Sequence, residues 1–302
     1  MPRGGRVTVD RHGGLAMVAR FGGSLGGVIS VLMILLLPVV AAAEEGLRPL
    51  RVGLLPTIAT LNLLRLYDPL RQHLQERLGR PVELYTSANF RSYYDDVVNQ
   101  DFDILVAAPH FGVMAVDLGY VPLVRYKPEL RPIIIVPKGS PITQGGQLAG
   151  KQVLTADRLA ALSVVAERWL ELDFGLTAGR DYVLREASNH STAIRAVAMG
   201  DADAAFGSRS TLQQVPLEIR DKVEVFDCRL SMPHQFTLVH PSLGPDMIEA
   251  LRQALLGFPA TEAGKAFFAA GGFQTYVPLT AAAVEAARPY ADLVAKNIGS
   301  AP

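Results

Sequence analysis

Asp101-Phe102-Asp103-Ile104-Leu105-Val106-Ala107-Ala108-Pro109-His110-Phe111-Gly112-Val113-Met114 is the stretch on which the reading of this chain turns. The apolar run between Asp103 and Pro109 predicts a short buried strand. Pro109, suited to the first turn of a helix, predicts that the strand empties directly into one. A hundred residues on, 200–211 repeats the pattern: Asp201, Asp203, Ala204-Ala205-Phe206, then Gly207-Ser208-Arg209-Ser210. Each copy follows an amphipathic helical pattern and ends in a turn whose free N–H groups face outward. One unit in each half implies two α/β lobes presenting strand-to-helix turns to a shared cleft, where open α/β sheets hold their ligands.

Outward from these units, strand and helix alternate, the pattern of α/β lobes. Residues 50–55 predict a strand. Asp68-Pro69 has the N-cap and first-turn signature of a helix carrying Leu70, Leu74 and Leu78, which Gly79 and Pro81 stop. A strand at 81–85, a helix at 90–100 and a strand at 121–126 complete the first run. The apolar strand 131–137 passes into a second lobe with strands at 151–154, 182–185 and 223–228 and helices at 159–172 and 191–199. Residues 233–239 predict a return strand, and Gly244-Pro245-Asp246 opens a helix with Met247, Leu251, Leu255 and Phe258 on one face. The tail, 281–298, reads as a helix interrupted by Pro289. Crossings near Ile133 and Phe236 predict a two-segment hinge, with lobe 1 formed by 44–133 and 236–302 and lobe 2 by 134–235.

The chain has 29 basic and 29 acidic residues, and no patch calls for nucleic acid. Arg3, Arg6, Arg11 and Arg20 precede an apolar run, 28–40, ending in Ala41-Ala42-Ala43 before Glu44-Glu45. This predicts a secretory signal cut after Ala43. A membrane anchor over 23–43 competes, being close to the roughly 20 residues that span a bilayer; Pro38 and the small-residue end favour cleavage. Met17 is an alternative start. No cysteine near the cut offers a lipid site, and the lone Cys228 cannot form an internal disulfide, so the exported chain relies on its core. Removing the leader takes four Arg and one Asp, leaving 25 basic against 28 acidic residues, or −3. An anion must then be held by local groups.

Several residues are placed to do so. His190 follows Ser188-Asn189 at a helix start, with Ser191 and Thr192 behind it; N–H groups, hydroxyls and imidazole together suit an anion. The alternative is a plain N-cap by Asn189 or Ser191 with His190 exposed. His110 stands at the mirror position in the first lobe, as an oxyanion donor, a metal ligand or a supporting residue. A metal held by His110 and His190 would need a third ligand, and Cys228 offers no convergence, so none is expected. Arg209, flanked by Ser208 and Ser210, and Arg158 are candidate clamps for a carboxylate or phosphate, against the ordinary alternative of solvated arginines. Thr57, Phe90 and Tyr93, with Tyr94 an equal alternative, line the predicted cleft. There is no Gly-x-Ser-x-Gly, no His-Glu-x-x-His and no phosphate-cradling loop with Lys. No catalytic residue or cofactor is therefore assigned.

Taken in order, the motifs resemble the phosphate/phosphonate-type solute-binding proteins of ABC transporters. They run from Tyr67-Asp68-Pro69-Leu70 through Leu78-Gly79-Arg80-Pro81-Val82 and Asp101-Phe102-Asp103 to Ala108-Pro109. Gly139-Ser140-Pro141-Ile142, Leu148-Ala149-Gly150-Lys151 and the run from His190 through Ala193-Ile194-Arg195 to Ala205 extend them over residues 50–256. The resemblance implies a two-lobed periplasmic-binding fold, a monomer that binds rather than catalyses, and a small oxyanion ligand of the phosphate, phosphite or phosphonate kind. It implies a permease partner in the inner membrane, or a membrane histidine kinase if the protein senses. The chain also departs from the family. Relatives that bind phosphonate open a lobe-2 helix with Ser/Thr, whereas here Arg158-Leu159-Ala160-Ala161-Leu162-Ser163 keeps only the hydroxyl of Ser163. Each unmet oxyanion bond costs about 1–3 kcal/mol. Phe111 stands for the aromatic expected after Ala108-Pro109, without a hydroxyl. His234-Gln235 stands where amine-binding relatives carry a carboxylate, which makes Gln235 a contact and a cationic ligand tail unexpected.

Overall fold

The computed structural model describes residues 48–299. The signal, its cut after Ala43 and the choice between Met1 and Met17 lie outside them. No helix among the described residues is long and apolar enough to cross a membrane.

The first run is β1 (Leu50–Leu54), α1 (Thr60–Leu78), β2 (Val82–Thr86), α2 (Phe90–Val98), β3 (Ile104–Ala107), α3 (Pro109–Asp117) and β4 (Val121–Tyr126). A two-residue strand, β5 (Glu129–Leu130), leads into β6 (Ile133–Pro137), β7 (Gln152–Thr155), α4 (Ala161–Phe174) and β8 (Val183–Glu186). Then come α5 (His190–Met199), β9 (Ala204–Gly207), α6 (Arg209–Gln213), α7 (Leu217–Arg220) and β10 (Val223–Asp227). The chain returns through β11 (Met232–Pro233) and β12 (Phe236–Val239) to α8 (Pro245–Gly257), α9 (Glu262–Gly271), β13 (Tyr276–Pro278) and α10 (Ala281–Gly299).

These strands form two main sheets. One has the order β13-β4-β12-β3-β1-β2, the other β10-β6-β9-β7-β8. In each, three strands run parallel, with β1 between β2 and β3 and β7 between β8 and β9, and the return strands β12 and β6 lie antiparallel beside them. The first sheet draws strands from both ends of the chain, the second from its middle. Where the chain passes between them, β5 pairs with β11, Met232 opposite Leu130. The predicted return strand is thus two pieces, β11 in the crossover and β12 in the first sheet.

Asp103 seats the quoted stretch. Its carboxylate accepts the Arg51 N–H at 2.8 Å and both Arg48 Nη atoms at 2.8 and 2.7 Å. Burial alone would raise its pKa, but the Arg48 guanidinium and the Arg51 N–H hold it below the ordinary carboxylate value. Asp203 does the same for the second sheet, accepting the Gln152 N–H at 2.8 Å. Beyond β3, α3 lies tight on β12: a Cβ at Gly112 would stand 2.6 Å from the Phe236 ring. Only glycine lets the start of α3 come so close.

Two sequence expectations are corrected here. Asp68-Pro69 does not begin a helix; Pro69 lies inside α1, because Leu63, Tyr67, Leu70 and Leu74 form one buried stripe and Asp68 binds Arg71 and Gln72 instead of capping. Pro289 does not interrupt the last helix either: α10 is continuous, with Val284, Ala287, Ala291 and Val294 buried on one face. That face joins a core cluster shared by the two halves, containing Phe90, Ala108 and Phe111 from the first and Ala160, Ala161, Leu162 and Val165 from the second. The remaining clusters lie on the other face of the first sheet and on both faces of the second.

Candidate functional site

Four helices begin at one place. Phe90, Pro109, Ala161 and His190, the first residues of α2, α3, α4 and α5, all line one cavity. All four follow directly from parallel strands, since β2, β3, β7 and β8 run into α2, α3, α4 and α5 after one short turn each, which brings carboxyl strand ends and amino helix ends together. The N–H groups of Ala161 and Leu162 have no acceptor among the described residues. Four such ends with positive dipole potential favour an anion.

Apolar lining comes from both halves, with Ala160, Ala161 and Leu162 at the start of α4 facing the cavity from the second. Leu55, Phe90, Ala108, Pro109 and Leu130 form an apolar wall on the side of the first sheet. Ser208, Ser210 and Thr211, at the end of β9, bring hydroxyls from the other; Ser208 Oγ lies 2.9 Å from Ser210 Oγ and caps the Thr211 N–H. Thr57, His190, Gln214, His234 and Gln235 complete the polar set. Among the described residues, no Asp, Glu, Lys or Arg lines the cavity.

Burial favours the neutral form of the three histidines near the cavity. Burial pushes the pKa of His190 down to about 4 and those of His110 and His234 down to about 3. His190 sits edge-on to Phe90, and its backbone N–H reaches Thr57 O at 3.4 Å across the two halves. Its Nδ1 is buried without a partner, as are both ring nitrogens of His110. His110 is fully buried, and the Leu159 backbone from the other half approaches it without meeting hydrogen-bond geometry.

Of the residues singled out in sequence, Thr57, Phe90, His190, Ser208 and Gln235 meet at this cavity. The others do not line it. Tyr93 is buried beneath, its hydroxyl donating to Val106 O at 3.1 Å, and Phe111 packs between Tyr93 and Tyr94. Ser163 turns into the second lobe, bonded to Thr155 and to Asp157 O. Ser191 is half-buried off the lining, and the Thr192 hydroxyl is taken up by Asn189, whose side chain caps α5. Arg209 is exposed and paired with Asp227 at 2.8 Å. Arg158, 3.7 Å from Glu167, lines a separate, wider recess with Asp157 and Glu186. There burial raises the Asp157 pKa to about 6, opposed by the Leu159 N–H and helped by Glu186.

Sequence reasoning did not single out Ser210, Thr211, Gln214, His234 or Phe273 as contacts. Ser210 and Thr211 were legible, being continuous with Ser208. Gln214 and Phe273 lie far apart in sequence, and only the meeting of α6 with the end of α9 brings them to the site. Among the described residues no group of three or more His, Cys, Asp or Glu is arranged to hold a metal.

The family model for the phosphonate periplasmic substrate-binding protein of ABC transporters matches residues 52–284. Among solved structures, the chain is similar to PhnD1 from Prochlorococcus marinus (MIT 9301) in complex with methylphosphonate. That match has 12% identity and a TM-score of 0.72, covering 83% of this chain and 98% of that one. It is also similar to a binding-protein component of an ABC phosphonate transporter from Pseudomonas aeruginosa, with 14% identity, a TM-score of 0.68, and coverage of 83% and 98%. The alkanesulfonate-binding protein SsuA from Xanthomonas axonopodis pv. citri, bound to MOPS, matches at 19% identity and a TM-score of 0.59, covering 85% and 95%. At such identities the structures share the two-lobed fold, while the family model spans most of the chain. The chain therefore belongs to the phosphonate-binding periplasmic substrate-binding proteins of ABC transporters.

Proposed function

We propose that the two halves close on a small oxyanion of the phosphonate class, with phosphate and phosphite as its nearest competitors, and hand it to a membrane permease. One observation carries this reading: a cavity at the starts of four helices, lined by hydroxyls and neutral imidazoles and, among the described residues, by no charged side chain. Helix-end N–H groups and hydroxyls meet oxygen atoms, while the wall of Leu55, Phe90 and Leu130 suits a short apolar substituent. Closure follows from mass action, because only the closed form offers contacts from both halves. His190 contributes most directly, being at the first turn of α5 and bonded through its backbone to Thr57.

Calorimetric titration with methylphosphonate, phosphite, phosphate and acetate tests it. Binding of at least one phosphorus oxyanion is expected, with His190→Ala weakening it about tenfold at unchanged melting temperature. Binding of acetate alone would reassign the ligand to a carboxylate, and an unaltered affinity in the variant would remove His190 from the site.

A further inference from the structure

Two lining residues have a hydrogen-bonding sense fixed by the backbone. His234 follows β11 in the crossover between the halves, and its Nδ1 accepts the Gln235 N–H at 2.8 Å. The ring proton of the neutral imidazole must then sit on Nε2. Tyr126 and Phe273 pin the ring edge-on, with centroids 5.2 and 5.6 Å away. Nε2 has no partner among the described residues and is not sealed from solvent, so His234 offers the cavity one oriented N–H.

Gln214 has the opposite sense. Its Nε2 donates to Gly271 O at 2.8 Å, a bond from the second half to the first, and this fixes the amide so that Oε1 is an acceptor. That oxygen is buried, belongs to a residue lining the same cavity, and has no donor. Buried acceptors are nearly always met.

Resting on the phosphonate reading above, we propose that His234 and Gln214 hold the oxyanion together, His234 as a donor to it and Gln214 as the acceptor that selects its protonation state. His234 Nε2–H donates to one phosphonate oxygen, and Gln214 Oε1 accepts from the P–OH of another. The preferred species is the monoanion R–PO3H−, with an uncharged substituent against the apolar wall. A sulfonate of the same shape and charge has no proton to give, and leaves Gln214 Oε1 buried and unmet.

The experiment is titration of the full chain with methylphosphonate and with methanesulfonate near pH 6, in the wild type, Gln214→Leu, His234→Leu and His234→Gln. The last places an amide N–H close to the position of imidazole Nε2. Methylphosphonate is expected to bind about 30-fold or more tighter than methanesulfonate. Gln214→Leu should shrink that ratio to about threefold, by loss of methylphosphonate affinity. His234→Leu should weaken both ligands about tenfold, and His234→Gln should restore binding to within about threefold of wild type. The wild-type ratio needs no variant, so it stands even if a substitution fails to fold. Equal wild-type affinities overturn the inference and leave the phosphonate reading intact, and so does a well-folded Gln214→Leu that keeps the wild-type ratio or a well-folded His234→Leu that binds both ligands as the wild type does. Failure of every phosphorus oxyanion to bind removes both.

Discussion

Asp103 and Asp203 hold matching places in the two halves. Each accepts the backbone N–H of the strand alongside, Arg51 beside β3 and Gln152 beside β9, both at 2.8 Å. Beyond the strands the units diverge. After β3 come Ala108 and Pro109, apolar and, in the case of Pro109, lacking an N–H; after β9 come Ser208, Ser210 and Thr211, three hydroxyls. One seating device thus leads into an apolar turn in one half and a hydroxyl-bearing turn in the other. A ligand that is part oxyanion and part hydrocarbon has its orientation set by that asymmetry.

The comparison can be broken at its foundation or sharpened at its tips. The largest effect is expected from Asp103→Asn, which leaves the Arg48 guanidinium without its carboxylate; urea denaturation should show a loss of about 2 kcal/mol, against about 1 kcal/mol for Asp203→Asn. The reverse order would mean that the two aspartates are not equivalent seats. Next comes His110→Leu, which removes two buried nitrogens that have no partner and should stabilise by about 1 kcal/mol at neutral pH. The ring titrates at 6.5 when unperturbed and at about 3 when buried, so the unfolded chain takes up a proton first. The stability tied to a neutral His110 is whole above pH 6.5 and is lost as pH falls toward 3. The gain in melting temperature from His110→Leu should therefore be larger at pH 5 than at pH 7, and a constant gain would show that the ring is hydrated.

Smaller effects test the tips. Ser210→Ala should weaken methylphosphonate about fivefold, while Pro109→Ala changes it less than about twofold; equal losses would end the division into hydroxyl-bearing and apolar turns. Smallest is Ala161→Ser, which adds a hydroxyl at the start of α4 and should raise affinity by about two- to threefold, with no gain if that side chain points away from the oxyanion.

The alternation of strands and helices and the two acidic strand starts were legible because they depend on local pattern. Pro69 within α1 and Pro289 within α10 were not, since a continuous buried stripe in each outweighs one missing hydrogen bond. The hinge pairing of Leu130 with Met232 joins two-residue strands too short to register as periodicity. At the site, the sequence located the helix starts but not which way each side chain turns. Thr57, Phe90 and His190 face the cavity, whereas Tyr93, on α2 with Phe90, and Phe111 and Ser163, near the starts of α3 and α4, face the core. The ion pairs of Arg158 with Glu167 and of Arg209 with Asp227 were not legible either, because tertiary packing sets both.

The absence of any ionised side chain from the lining, among the described residues, has a consequence for the conditions in which this receptor operates. Dissolved ions weaken attraction between full charges, but they have little purchase on dipoles and hydroxyls enclosed by protein. Capture should then proceed with similar strength in dilute and in saline surroundings, so that the bound fraction reports the supply of ligand and not the salinity around it.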